Sequence, residues 1–158
     1  MDPLSIVASA AGFLSLTIQL LETTKKIHDF LQDVSEAPDE LTRLSTRVED
    51  LMVMLDNIQT TLSMQMRQPG VLPPPSSMAR ALKTCEAHVK VLNEVVRKIE
   101  TSYVKQGRAR RTWASIKLVL KKNDLRDFEN HLGQAVDTLN TAMTANILQL
   151  QLAQFQQQ

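Results

Sequence analysis

Cysteine occurs once in 158 residues, at Cys85, so no intramolecular disulfide can form and a Cys-rich zinc site has no ligand set. A reducing, intracellular location is expected. Glycine is scarce, with four copies, and Phe, Tyr and Trp together make 4% of the chain. A β-sandwich or barrel needs many Gly-rich turns and aromatic or β-branched strands, which leaves a helical fold as the expectation. No Lys or Arg precedes the first apolar stretch, and that stretch runs on as a helix instead of stopping at a cleavage site, so a secretory signal peptide is not expected. Also missing are a Gly-rich phosphate loop, a Ser/His/Asp spacing and a metal-ligand cluster. No catalytic, cofactor-binding or metal site is therefore expected, and an enzyme is the least supported class. His28, His88 and His131 lie far apart on different predicted helices and read as ordinary helix residues, while Cys85 falls on a core-facing position and reads as a small buried hydrophobe.

Charge is present but segregated. The formal net charge is +1, yet residues 1–66 sum to −6 and residues 105–126 to +7, with +3 for 67–104 and −3 for 127–158. From Pro3 to Leu21, nineteen residues pass without a charge. These two features, an uncharged start and a basic segment, carry most of the functional information.

The chain reads as four long helices and one short one, an all-α bundle forming a single domain over 1–158. Asp2 and Pro3 suit a helix start, and apolar residues continue at Leu14, Ile18, Leu21, Ile27 or His28, Leu31 and Val34. Ser35-Glu36-Ala37-Pro38 breaks that pattern, and Asp39 and Glu40 sit favourably in the first turn of a second helix. That helix carries a seam of Leu41, Leu44, Val48, Leu51, Leu55, Ile58 and Leu62 at alternating steps of three and four. Such a seam fits a bundle helix packed along its length or a coiled coil with a partner. Methionines Met52, Met54, Met64 and Met66 add adaptable apolar surface on the same helix. A Pro-rich loop over 68–77 leads to a third helix from about Ser77, with Leu82, Cys85, Val89, Leu92, Val96, Ile99 and Tyr103 on one face. A basic loop then enters a short helix of two to three turns from Thr112. Asn123 or Asp124 caps the last helix, whose apolar face runs Leu125, Phe128, Leu132, Val136, Leu139, Met143, Ile147 and Leu150 into a Gln-rich tail over about 151–158, where further domains are expected to follow.

Two candidate sites emerge. As a helix, the nineteen uncharged residues would reach about 28 Å, close to the hydrocarbon thickness of a bilayer. Leu4, Ile6, Val7, Phe13, Leu14, Leu16, Ile18, Leu20 and Leu21 are its apolar members, diluted by Ser5, Ser9, Ser15, Thr17 and Gln19. Burial as a core helix and conditional membrane insertion both remain open. Arg108, Arg110, Arg111, Lys117, Lys121 and Lys122 are candidates for anionic lipid head groups, with a solvated basic loop as the plainer alternative. No DNA-reading motif accompanies them, and nucleic acid is not an expected partner. Trp113 reads as a packing anchor for the short helix.

The opening from Met1 through Leu16 (Met-Asp-Pro-Leu-Ser-Ile-Val-Ala-Ser-Ala-Ala-Gly-Phe-Leu-Ser-Leu), the Glu36-Ala37-Pro38 break, and the passage from Trp113 to Leu125-Arg126-Asp127-Phe128 resemble the N-terminal domain of fungal STAND proteins of the NOD-like receptor type, the HeLo-like family. The resemblance covers nearly the whole chain and is most specific at the opening. It implies a helical bundle placed before a nucleotide-binding oligomerisation domain, repeats or an amyloid signalling motif. It further implies a cell-death effector related to the fungal heterokaryon-incompatibility toxin domain, and more distantly to the killer domain of the necroptosis pseudokinase and to plant resistance-protein bundles. Clustering would expose the N-terminal segment, here Leu4 to Leu21, to a membrane. Expected partners are further copies of the chain, anionic lipids, and helical effector or C-terminal sensor domains. The expected location is cytoplasmic, with relocation to the plasma membrane on activation. A non-lytic helical interaction module, using the seam of residues 41–62 or its own oligomerisation surface to bind another bundle, is the rival reading.

Overall fold

The computed structural model describes residues 10–68, 73–106 and 112–156. Five helices follow one another: α1 (Ala10–Gln32), α2 (Asp39–Arg67), α3 (Ser76–Gln106), α4 (Trp113–Lys117) and α5 (Asp124–Gln156). No strand occurs among the described residues; the one β-type contact is an isolated bridge between Ser35 and Thr112. The expected all-α bundle of four long helices and one short helix is what forms.

The arrangement follows from which faces need cover. α1 packs on α2 and α3, and α5 packs on the same two, so α1 and α5 occupy opposite corners of a four-helix ring. Gln32 donates to Ser45 at 2.8 Å and His28 faces Glu49 at 3.8 Å, so α1 and α2 run antiparallel. Arg43 meets Glu129 near the start of α2 and α5, and Gln65 meets Asn146 near their ends, so those two run parallel. One continuous core fills the ring.

The second helix behaves as its periodicity predicts. Leu41, Leu44, Val48, Leu51, Leu55, Ile58 and Leu62 are at most 2% exposed, and the seam is filled from within this chain. Met52 and Met54 flank that core, whereas Met64 and Met66 are exposed. Helix α3 likewise buries Leu82, Cys85, Val89, Leu92, Val96 and Ile99, joined by Met78 and Ala81; the side chain of Tyr103 lies outside the described residues.

Three expectations need correction. The expected stripe of α1 holds from Leu21 through Ile27 and Leu31 to Val34, but in the first turns Phe13, Thr17 and Leu20 take the inward positions, with Thr24 further on, and Leu14 and Ile18 are only half-buried. Two threonines disguised that stripe, because their hydroxyls donate to carbonyls one turn back, Thr17 to Phe13 at 2.7 Å and Thr24 to Leu20 at 2.6 Å, and so tolerate burial. Helix α4 is five residues long, not two to three turns, because the chain tightens into turns after Lys117 and reverses at Asn123, whose φ is 77°. On α5, Ile147 is exposed and Leu150 only half-buried, since Asn146 takes the inward position and the helix then outruns the last residue of α2. The Gln-rich tail is helical through Gln156.

The turns are specified locally. Glu36 adopts φ 59° between α1 and α2, and the Pro38 carbonyl accepts from Leu41 and Thr42 at 3.0 and 3.1 Å to start α2. Thr112 caps α4, its hydroxyl accepting from the Ser115 N–H at 3.4 Å. The Trp113 N–H donates to the Ser35 carbonyl at 3.2 Å, which pins the long α3–α5 connection to the α1–α2 turn.

Candidate functional site

At the end of the bundle where α2 and α5 begin, α4 and the turn after it roof a concave space of about 510 Å³. It is lined by Arg43 from α2, Trp113 and Lys117 from α4, Lys121 and Lys122 from the turn, and Arg126 from α5. Leu120 and Leu125 provide apolar wall. Two carboxylates also line it: Glu129, in a 3.6 Å ion pair with Arg43, and Glu40. Five cations against two anions leave the cavity positive, and no ion pair among the described residues engages Lys117, Lys121 or Lys122.

The geometry of this lining is set by backbone devices. Ile116 is buried and anchors α4 to the core, leaving Lys117 exposed on the other side. Asp124 turns its carboxylate back to accept the Lys121 N–H at 2.7 Å, which fixes the turn that carries Lys121 and Lys122. The Asn123 carbonyl accepts from Asp127 at 2.9 Å to start α5, and the Asn123 side chain accepts from Arg126 at 3.4 Å. The 33-residue α5 starts at the same cavity, with Asp124 and Asp127 in its first turn offsetting its positive end.

Of the head-group candidates, Lys117, Lys121 and Lys122 meet in this pocket, while Arg108, Arg110 and Arg111 lie outside the described residues. Arg43 and Arg126 were missed. Arg43 belongs to the acidic half of the sequence and reaches the basic segment only because α2 and α5 are parallel neighbours. Of the membrane-segment candidates, Leu4, Ile6 and Val7 lie outside the described residues, Phe13, Leu20 and Leu21 are buried in the core, and Leu14, Leu16 and Ile18 are half-buried. Among the described residues no helix is long and apolar enough to cross a membrane.

The Cys85 thiol is fully buried, and burial, assisted by Glu86, pushes its pKa up to about 12, so the thiolate is scarce at neutral pH. His88 and His131, remote in sequence, are brought together across α3 and α5 as stacked rings with centroids 4.7 Å apart and planes 15° from parallel. This corrects their reading as scattered residues. Burial first, and the His131 charge second, lower the pKa of His88. His28 keeps a buried Nε2 with no hydrogen bond. Among the described residues, no group of three or more His, Cys, Asp or Glu is placed to hold a metal ion.

No curated protein and no solved structure matches the chain. A protein-family match does span it, and with residues 1–158 all covered, the chain belongs to the family described as pigment biosynthesis cluster protein PigL N-terminal.

Proposed function

We propose that the domain is a non-catalytic effector or signalling module of a fungal receptor of the NOD-like type, executing regulated cell death by self-association and membrane targeting through residues 4–21. One observation carries the reading. The core-facing hydroxyls of Thr17 and Thr24 are satisfied inside α1 itself. Those two hydroxyls can therefore leave the bundle and enter an apolar medium without stranding a buried donor, and the partner helices lose no hydrogen bond to them. In the resting bundle Phe13, Leu20 and Leu21 serve as core; clustering by a C-terminal sensor domain raises local concentration and shifts the segment toward lipid. The basic pocket holds the assembly at an anionic surface. The protein so read is cytoplasmic at rest and moves to the plasma membrane when activated.

The test uses positions that face solvent in the bundle. Ser15 and Gln19 are exposed, so Ser15→Glu and Gln19→Glu change the folded state little. A carboxylate in the hydrocarbon costs about 2.5–3.5 kcal/mol, so leakage of anionic liposomes should fall more than tenfold while thermal melts stay unchanged. Full leakage from both variants rejects insertion.

A second reading, a non-lytic interaction module, draws on a different observation. Met64, Met66, Leu148, Leu152 and Phe155 are exposed at the end of the bundle opposite the basic pocket, an apolar surface suited to another helix. A stable soluble assembly in light scattering that never floats with anionic liposomes selects this reading.

A further inference from the structure

The cations that line the pocket with Trp113 are not spread over a flat face. They come from α2, α4, the turn at 121–122 and α5, and they converge on one cavity. Lys117, Lys121 and Lys122 have no ion-pair partner among the described residues; their convergence costs self-repulsion, and a bound polyanion relieves it. We propose that this pocket is a recognition site for one compact, multiply phosphorylated ring, such as the inositol phosphate of a lipid head group or its free form. The choice of a lipid as carrier rests on the membrane reading above; the site itself does not.

Shape and chemistry select this ligand class. A cavity of about 510 Å³ has more room than a single phosphate needs, which leaves space for a small ring with several phosphates. Trp113, Leu120 and Leu125 offer an apolar wall for the carbon face of the ring, and Lys117, Lys121, Lys122 and Arg126 reach phosphates around its edge. Arg43 is held partly by Glu129 and contributes less. Glu40 opposes the ligand, so its removal should tighten binding.

Trp113 is the chain's one tryptophan, and its emission reports the pocket directly. The whole chain is titrated with a soluble inositol trisphosphate. In parallel it is titrated with phosphatidylcholine vesicles carrying phosphatidylinositol bisphosphate, and with phosphatidylserine vesicles matched in surface charge. A saturable, single-site change in Trp113 emission with the soluble trisphosphate is expected. Lys121→Gln and Arg126→Gln should each weaken it about fivefold, and Glu40→Gln should strengthen it. All three positions are exposed, and circular dichroism of each variant checks that it folds. Soluble binding together with preference for the phosphoinositide vesicle identifies a lipid source. Soluble binding without vesicle binding keeps the site, assigns it to a free inositol phosphate, and removes head-group anchoring from the membrane reading. Equal binding to both charged vesicles with no response to the soluble ring overturns the pocket and leaves membrane attraction diffuse. No response in any arm overturns both.

Discussion

At the scale of single residues, chemistry follows burial. Cys85 is enclosed and its thiol is held protonated, so iodoacetamide should label it in the native protein only as fast as the bundle opens. A native labelling rate equal to that of the denatured chain would contradict the structure. The stacked imidazoles make a second prediction. His88 lies below its ordinary value of 6.5, so in the folded state it binds fewer protons than in the unfolded chain as the pH falls. Stability is therefore complete above that ordinary value and declines below it. Melts at about pH 7.5 and about pH 5 should show a larger acid drop for the native protein than for His131→Gln, which removes the second cause and leaves burial in place. An equal acid drop in both would show that the stack has no part in it.

Among the helices, stability rests on seams and on one polar layer. Leu51, Leu55 and Ile58 are wholly buried, so alanine at any of them should cost about 2–5 kcal/mol in chemical denaturation. Gln65 and Asn146 exchange two amide hydrogen bonds, at 3.2 and 2.8 Å, with both side chains buried. Asn146→Ala strands the Gln65 amide and should cost about 1–3 kcal/mol, while the double change to Leu at both positions should cost less than that single one. A single variant no less stable than the double would mean that the pair is not coupled. The α2 seam was readable in the sequence because one helix wrote its own period in Leu, Val and Ile. The α1 stripe was not, since Thr17 and Thr24 look polar until their hydroxyls are seen to fold back on the helix. The Gln65–Asn146 layer was invisible for a different reason: its partners are 81 positions apart, and only the parallel packing of α2 and α5 makes them neighbours. The same packing completed the candidate pocket. Lys117, Lys121 and Lys122 were legible as a charge run, but Arg43 and Glu129 joined them through tertiary structure alone.

On the scale of the whole molecule, the two ends of the bundle differ in character. One carries the basic pocket, and the other exposes Met64, Met66, Leu148, Leu152 and Phe155. Because Leu152 and Phe155 are 64% and 79% exposed, Leu152→Glu and Phe155→Glu should leave the melting temperature of the monomer within experimental scatter. A clear drop would mean that these side chains support the fold. The bridge between Ser35 and Thr112 has a consequence for the order of events. It lies just past the last turn of α1, where Gln32 also holds Ser45, so that end of the helix is fastened to its neighbours by hydrogen bonds. Further toward the N-terminus, the core-facing hydroxyls of Thr17 and Thr24 bond only within α1. Helix α1 is thus sewn to its neighbours at its C-terminal end, and among the described residues that end should open last. Amide hydrogens near Phe13 should exchange faster than those near Ile27, and cutting the fastening with Gln32→Ala should flatten that gradient.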